Sequence, residues 1–156
     1  MTPPTDSQAG NRLLVLRTGA LRCALPLCHV VETMRPLPAQ PVANAPAFVS
    51  GAAVVRGEAL PVVDLGSLLG ASAGKPARFV VVRAGERKVV LAVEAVVGIH
   101  ELPGGTLAGV PPLLSQAEAG IITAIGSLDQ ELLLVLQAAR IVPDEVWAAL
   151  AGSEAR

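Results

Sequence analysis

Side chains able to do chemistry are sparse in this sequence and do not cluster. His29 and His100 each lie beside an apolar run, without a second ligand or a base at useful spacing. Both read as surface or hydrogen-bonded structural histidines. Cys23 and Cys28 are too few for a disulfide framework and match no common zinc spacing. They read as two small buried apolar residues in a reducing compartment. Gly74-Lys75-Pro76 lacks the leading glycine and the following Ser or Thr of a phosphate-binding loop, and Pro103-Gly104-Gly105 is a turn signal. Asp64 ends an apolar run with no partner carboxylate and reads as a helix cap. Glu94, within Ala92-Val93-Glu94-Ala95, reads as a charge on the solvent face of a strand. No catalytic, cofactor-binding or metal-binding residue is assigned, and an enzyme is not expected.

The elements that would carry these residues are strands. The chain has 156 residues, enough for one domain or two small β-subdomains sharing a core. It is 52% hydrophobic but only 2% aromatic, so the core must be built from Val, Leu, Ile and Ala. Val-rich runs favour strands over helices. A formal net charge of -1 gives no basic excess for nucleic acid. The longest uncharged stretch, Pro36 to Val55, contains Pro36, Pro38, Pro41 and Pro46, which makes it a poor membrane-spanning helix. The first residues, MTPPTDSQAGNR, have no apolar core and cannot be a secretory signal.

Along the chain, residues 1–11 read as a loose tail. Leu13–Leu16 and Leu21–Leu27 flank Thr18-Gly19-Ala20 as a hairpin, with Cys23, Leu25 and Leu27 on one face. Residues 36–46 form an extended Pro-rich connection. Phe48–Val55 and Ala59–Leu65 flank Arg56-Gly57-Glu58 as a second hairpin, with Pro61 marking a bulge or an edge position. A short helical turn at Leu65–Leu69 and a Gly-rich link at 70–76 follow. The second half echoes the first. Phe79–Val82, Gly85 and Val89–Val97 correspond to Leu14–Arg17, Gly19 and Cys23–Val31, while Ile121–Leu128, Asp129-Gln130 and Leu132–Leu136 correspond to the second hairpin. The repeat predicts two similar β-subdomains, roughly 12–72 and 76–142, neither large enough to bury a comfortable core alone. Pro143 to Leu150, with acids in the first turn and Gly152 after the end, predicts a short C-terminal helix over about 143–151, with Val146 and Leu150 on one face.

Several segments resemble the CheW family. Ala43-Asn44-Ala45-Pro46-Ala47-Phe48-Val49-Ser50-Gly51 resembles its entry to a central hairpin. Val54-Val55-Arg56-Gly57-Glu58-Ala59-Leu60-Pro61-Val62-Val63-Asp64-Leu65 resembles its most characteristic segment, an Arg-Gly turn leading into a strand that closes with Pro-x-x-Asp-Leu. Cys23-Ala24-Leu25-Pro26-Leu27, Val30-Val31-Glu32, Val93-Glu94-Ala95-Val96-Val97-Gly98-Ile99 and Leu132–Val142 add support, so the resemblance covers roughly residues 12–142. It implies a mainly β chain with two packed SH3-like β-barrel subdomains, short helical turns and a short C-terminal helix. It also implies a non-catalytic cytoplasmic adaptor that binds the regulatory domain of a CheA-type histidine kinase and the cytoplasmic tip of a chemoreceptor. No cofactor, nucleic acid or direct membrane insertion is implied.

By their positions in the matched segments, Val30, Glu32, Gly51, Arg56 and Gly57 are the expected partner-binding residues. Glu32 is expected at a groove rim, meeting a basic residue of a receptor. Arg56 is expected to pair with a carboxylate across an interface or to brace a loop, and Gly57 to supply a positive φ to the turn. Three positions depart from the family's usual residues: Val54 where Asn is usual, and Glu94 and Gln137 where Asp is usual. They suggest a divergent member serving pilus, gliding or another signalling output. With 156 residues there is no room for a receiver or kinase domain, so a stand-alone adaptor is expected. The alternatives are a β-barrel that binds a small ligand or peptide in another regulator, and an enzyme on a β-barrel scaffold.

Overall fold

In the computed structural model, residues 12–70, 75–101, 122–128, 131–136, 142 and 146–148 are described. The expectations for the N-terminal tail, for Pro103-Gly104-Gly105, for Asp129-Gln130, for Gln137 and for Leu150 lie outside them. Among the described residues ten strands carry the fold: β1 (Arg12–Thr18), β2 (Leu21–Pro26), β3 (Val30–Met34), β4 (Val49–Val55), β5 (Glu58–Asp64), β6 (Arg78–Ala84), β7 (Arg87–Val93), β8 (Ala95–Glu101), β9 (Ile122–Leu128) and β10 (Glu131–Leu136). A 3-10 turn, Leu27–His29, follows β2, and a single-turn helix α1, Leu65–Leu68, follows β5. Residues 146–148 are helical, as the C-terminal pattern predicts. Among the described residues no helix is long and apolar enough to cross a membrane.

The strands form two five-stranded sheets, in the orders β8-β1-β2-β10-β9 and β3-β6-β7-β5-β4. The fold is thus mainly β with two subdomains, but the chain does not divide between them at 72–76. All strands from 30 to 93 belong to the second sheet, and the first combines 12–26 with 95–101 and 122–136. The chain changes sheet at Leu27–His29 and again at Glu94. The sequence repeat is real, but a repeat says which hairpins look alike and not which of them pair.

Equivalence of the two sheets extends to single residues. β1–β2 matches β6–β7, β3 matches β8, and β4–β5 matches β9–β10, with parallel pairing of β2 with β10 and of β7 with β5. Even the bulges correspond. The β3–β6 register shifts between Val30 and Glu32, leaving Val31 extra. In β8–β1, Val96 and Gly98 face consecutive residues of β1, leaving Val97 extra. The same two-against-one step occurs at Ser50 in β4 and at Thr123 in β9. Each bulge bends its strand and tightens the twist needed to curl a short sheet into a barrel.

The core explains why several strands read as continuous apolar runs. In β6, Phe79 and Val81 point into one cluster while Val80 and Val82 point into another. In β1, Leu13 and Val15 fill the interior of the first barrel while Leu14 and Leu16 join Val63, Val80, Leu91 and Leu134 between the barrels. Strands covered on both faces lose the polar alternation of a half-exposed sheet. Each fully buried Val or Leu contributes about 1.5–3 kcal/mol, so the shared layer holds the two barrels as one body.

Three local expectations change. Pro61 sits in an inner strand. Its partner Ala52 commits both backbone groups to Gln40, at 2.8 Å each, so Ala52 and Pro61 form a non-hydrogen-bonded pair. The missing N–H therefore faces the β7 side, where pairing begins only at Val62. Glu94 is not a solvent-face charge. It is half-buried where the chain crosses between sheets, accepts a 3.0 Å hydrogen bond from the Gly19 N–H, and donates its own N–H to the Arg17 carbonyl. Cys23 is buried as expected, but Cys28 lies exposed in the 3-10 turn, outside the Cys23–Leu25 face. Asp64 caps α1, accepting from Ser67 N–H at 3.3 Å.

Candidate functional site

Val55 pairs with Glu58, so Arg56 and Gly57 alone make the β4–β5 turn. Both have positive φ, 50° and 81°, the pattern of a type I′ hairpin whose twist matches its strands. Gly57 adopts this without steric cost. Arg56 does not, because its Cβ crowds the backbone in the left-handed region. The sequence Val-Arg-Gly-Glu therefore holds a long cation in a conformation that favours Gly, Asn or Asp, and local geometry alone would not select Arg there.

The guanidinium is occupied. Arg56 Nε donates to Glu32 Oε2 at 2.7 Å and Nη2 to Oε1 at 2.9 Å, a two-pronged pair. Glu32 lies on β3 and Arg56 at the end of β4. These are the opposite edge strands of the second sheet, so the pair closes that barrel at its rim. The Arg56 hydrogen bond holds the Glu32 carboxyl below its ordinary range against an opposing desolvation, with smaller help from the charges of Arg56 and Lys88. Glu32 in turn raises Arg56. The Arg56 side chain is 78% exposed and that of Glu32 23%. Water screens such a pair, so its contribution is orientation more than stability. Lys88 and Glu58, 3.7 Å apart, continue the charged rim on neighbouring strands.

The repeat supplies an internal control. Glu32 faces Val81 of β6, and the equivalent residue of the first sheet, facing Val15 of β1, is Gly98. A barrel of the same strand order and the same bulge therefore forms without this carboxylate.

Of the other expected site residues, Gly57 completes the turn and Val30 is half-buried against the shared core. Gly51, at φ +147°, has a structural reason to be glycine: a Cβ there would lie 2.2 Å from the Gln40 carbonyl oxygen. Glu32, expected to meet a basic residue of a receptor, has each of its oxygens hydrogen-bonded to Arg56. Val54 was legible only as a departure from the family pattern. It is 68% exposed beside Arg56 and adds an apolar surface to the rim. The alternation along β4, buried at Val49, Gly51, Ala53 and Val55, is the signal that places it outward. Also missed was the stacking of Arg87 over Trp147, 4.9 Å from the ring centroid, which ties the β6–β7 turn to the C-terminal helix. Among the described residues no group of three or more His, Cys, Asp or Glu could hold a metal ion.

Comparison with known proteins decides the family. Residues 12–146 match the model of the CheW-like domain. The chain belongs to the CheW-like family. Chemotaxis protein CheW of Rhizobium meliloti (strain 1021) is 26% identical over 142 residues, covering 89% of this chain and 92% of that protein. Protein FrzA of Myxococcus xanthus is 32% identical over 135 residues, covering 80% and 84%. Scaffolding protein TtCheW from Thermoanaerobacter tengcongensis superposes with a TM-score of 0.73 at 19% identity, covering 81% of this chain and 88% of that one. Family membership gives the two-barrel fold and a role in chemotaxis-type signal transduction as a coupling adaptor.

Proposed function

We propose that this adaptor is non-catalytic and cytoplasmic, and that it joins the regulatory domain of a CheA-type histidine kinase to the cytoplasmic tip of a methyl-accepting chemoreceptor. One rim would carry a principal contact: Val54, Arg56 and Gly57, with Glu32 holding Arg56 in place. The supporting observation is the Glu32–Arg56 pair itself, an exposed two-pronged bridge at a strained turn, in a position where the equivalent barrel has Gly98. A feature the fold does without in one copy is kept in the other for a different purpose.

In this reading Val54 supplies apolar area and the outer guanidinium edge sets orientation against a partner carboxylate or backbone carbonyl. Lysine could not replace Arg56, because an ammonium cannot hold Glu32 with two parallel bonds while presenting a further edge. Individually modest contacts add by multivalency in an array.

The test is a set of Arg56→Ala, Arg56→Lys and Glu32→Gln variants. Each is measured by thermal melting and by titration against a CheA-type regulatory domain and a soluble receptor-tip fragment. The expected result is folded proteins whose binding to at least one of the two weakens about tenfold or more, with Glu32→Gln weaker than wild type although it touches no partner. Unchanged binding to both partners would remove the rim from the interface, and collapse of the fold would make the pair a structural brace.

A further inference from the structure

The connection between β3 and β4 carries a second surface, distinct from the rim. Its first seven residues are Arg35-Pro36-Leu37-Pro38-Ala39-Gln40-Pro41. Three prolines fix their own φ near the polyproline II value. Arg35, Leu37 and Gln40 each precede a proline and are pushed to the extended region. Six of the seven residues are thereby restricted to extended or polyproline II backbone by covalent structure alone.

The first four residues, Arg35 to Pro38, are all exposed, and the segment is held from Ala39 onward. Ala39 and Val42 are half-buried and pack against the core clusters. Arg35, Pro38 and Pro41, at intervals of three, are all exposed. Leu37 and Gln40, on the remaining edge, are exposed as well. A left-handed helix of three residues per turn has three edges; here one is held at Ala39 and Val42 but exposed at Pro36, and the other two face outward throughout. The anchor is a two-bond bridge, Gln40 N–H to the Ala52 carbonyl and Ala52 N–H to the Gln40 carbonyl, both 2.8 Å.

We propose that this segment is a polyproline II ligand, presented ready-made to a partner domain with an aromatic-lined groove and an acidic group at one end. Two exposed edges are what such grooves engage, and the preformed helix loses little entropy on binding. The spacing Arg-x-x-Pro-x-x-Pro places the cation one turn before the first exposed proline and at the end of the ridge. Arg35 forms no ion pair or side-chain hydrogen bond among the described residues, so its charge is available to the acidic group. Addition as a β-strand is excluded as the mode, because three prolines in seven residues cannot donate to a ladder. A second copy of this chain is excluded as the partner on composition. It contains no Tyr and only two Phe and one Trp; Phe79 is buried, Phe48 is half-buried against the shared core, and Trp147 lies under Arg87.

The test uses the whole chain and, as probe, a purified SH3 domain that binds Arg-first Pro-x-x-Pro peptides through an aromatic groove. Titration calorimetry is run on wild type, Arg35→Ala, Pro38→Ala and Arg56→Ala, with a peptide spanning residues 33–44 alongside. The expected result is saturable 1:1 binding by wild type, at least as tight as the peptide. Arg35→Ala and Pro38→Ala should each lose about fivefold or more, and Arg56→Ala should keep full affinity. Because Arg56 is the residue of the proposed kinase and receptor rim, that last arm separates the two proposals. Binding by the peptide but not the folded chain would overturn the proposal, since the anchored face would then be unpresentable. Absence of binding by both, or binding indifferent to Arg35 and Pro38, would overturn it equally.

Discussion

Replacing Gly51 with alanine perturbs one contact whose size the geometry sets. The new Cβ would fall 2.2 Å from the Gln40 oxygen and 2.7 Å from its carbonyl carbon, and both are backbone atoms with no rotamer to escape into. The connection must lift away from β4, which breaks the two 2.8 Å bonds between Gln40 and Ala52. Each such bond contributes a net of about 0.5–1.5 kcal/mol, so the pair accounts for about 1–3 kcal/mol. The positive φ of +147° adds strain of about 1 kcal/mol, which the stiffer unfolded alanine chain offsets by about 0.4–1 kcal/mol. Gly98→Ala is the matched control. Its φ is +150° and among the described residues its Cβ would meet only His100 Nε2, at 3.9 Å, an ordinary contact. Strain and unfolded-state terms then cancel between the two variants, and their difference isolates the lost bridge. At about 2–4 °C per kcal/mol for a domain of this size, Gly51→Ala should melt about 2–12 °C below Gly98→Ala by circular dichroism. Equal melting temperatures would refute the claim that close approach of Gln40 requires glycine at 51.

Leu91, fully buried between the barrels, should cost about 2–5 kcal/mol when cut to alanine. The urea midpoint should fall with an unchanged slope, and a slope change or two transitions would mean that the barrels unfold separately. A thiol reagent should label Cys28 in the native protein and Cys23 only after unfolding, because burial pushes the Cys23 thiol up to about 12; mass mapping that finds Cys23 modified in the native state would contradict its placement. The pair at Glu32 should show acid dependence of a defined sign. Its carboxyl is held down in the folded protein, so whatever stability it supplies is complete above the ordinary carboxylate value of about 4.3 and is lost as pH falls through the lowered value. The melting difference between wild type and Glu32→Gln should be flat from neutral pH to about 5, shrink below about 4, and shrink in 1 M salt; a difference that vanishes near pH 6 would mean that another group is titrating.

Hairpins and their turns were legible because their signals are local. Gly19, Arg56-Gly57 and Gly85 mark the turns, and the apolar runs beside them mark strands. The helix cap at Asp64 was legible for the same reason, as one side chain reaching three residues on. Pairing between hairpins was not. β2 and β7 are similar enough that the sequence is equally compatible with β5 lying beside either, and only the assembled structure places it beside β7. Glu94 was misplaced because nothing in Val-Glu-Ala-Val announces a crossing between sheets. Cys28 was misplaced because the alternation of β2 stops at Pro26 and the 3-10 turn rotates it outward. At the rim, family resemblance named Glu32 and Arg56 as separate residues. Their pairing spans 24 positions and two opposite sheet edges, and no spacing rule connects such residues.

The residue-level equivalence of the barrels separates what folding requires from what has been added. Both sheets keep the strand order, the parallel step and the same two bulges, so those features serve closure and packing. They differ where the second sheet carries Glu32 and Gly51, against Gly98 and Ala124 in the first. Gly51 admits the Pro-rich connection onto the free edge of β4, where Gln40 takes up the backbone groups that an open strand would otherwise offer to other chains. Glu32 fixes Arg56, which a type I′ turn would not favour on its own account. Both additions sit on β3, β4 or their connection, so one barrel carries the exposed rim and the anchored ridge. If the proposed rim and ridge each take a partner, two surfaces on one rigid barrel would hold one partner at a fixed angle to another, and the shared core behind them would keep that angle from relaxing.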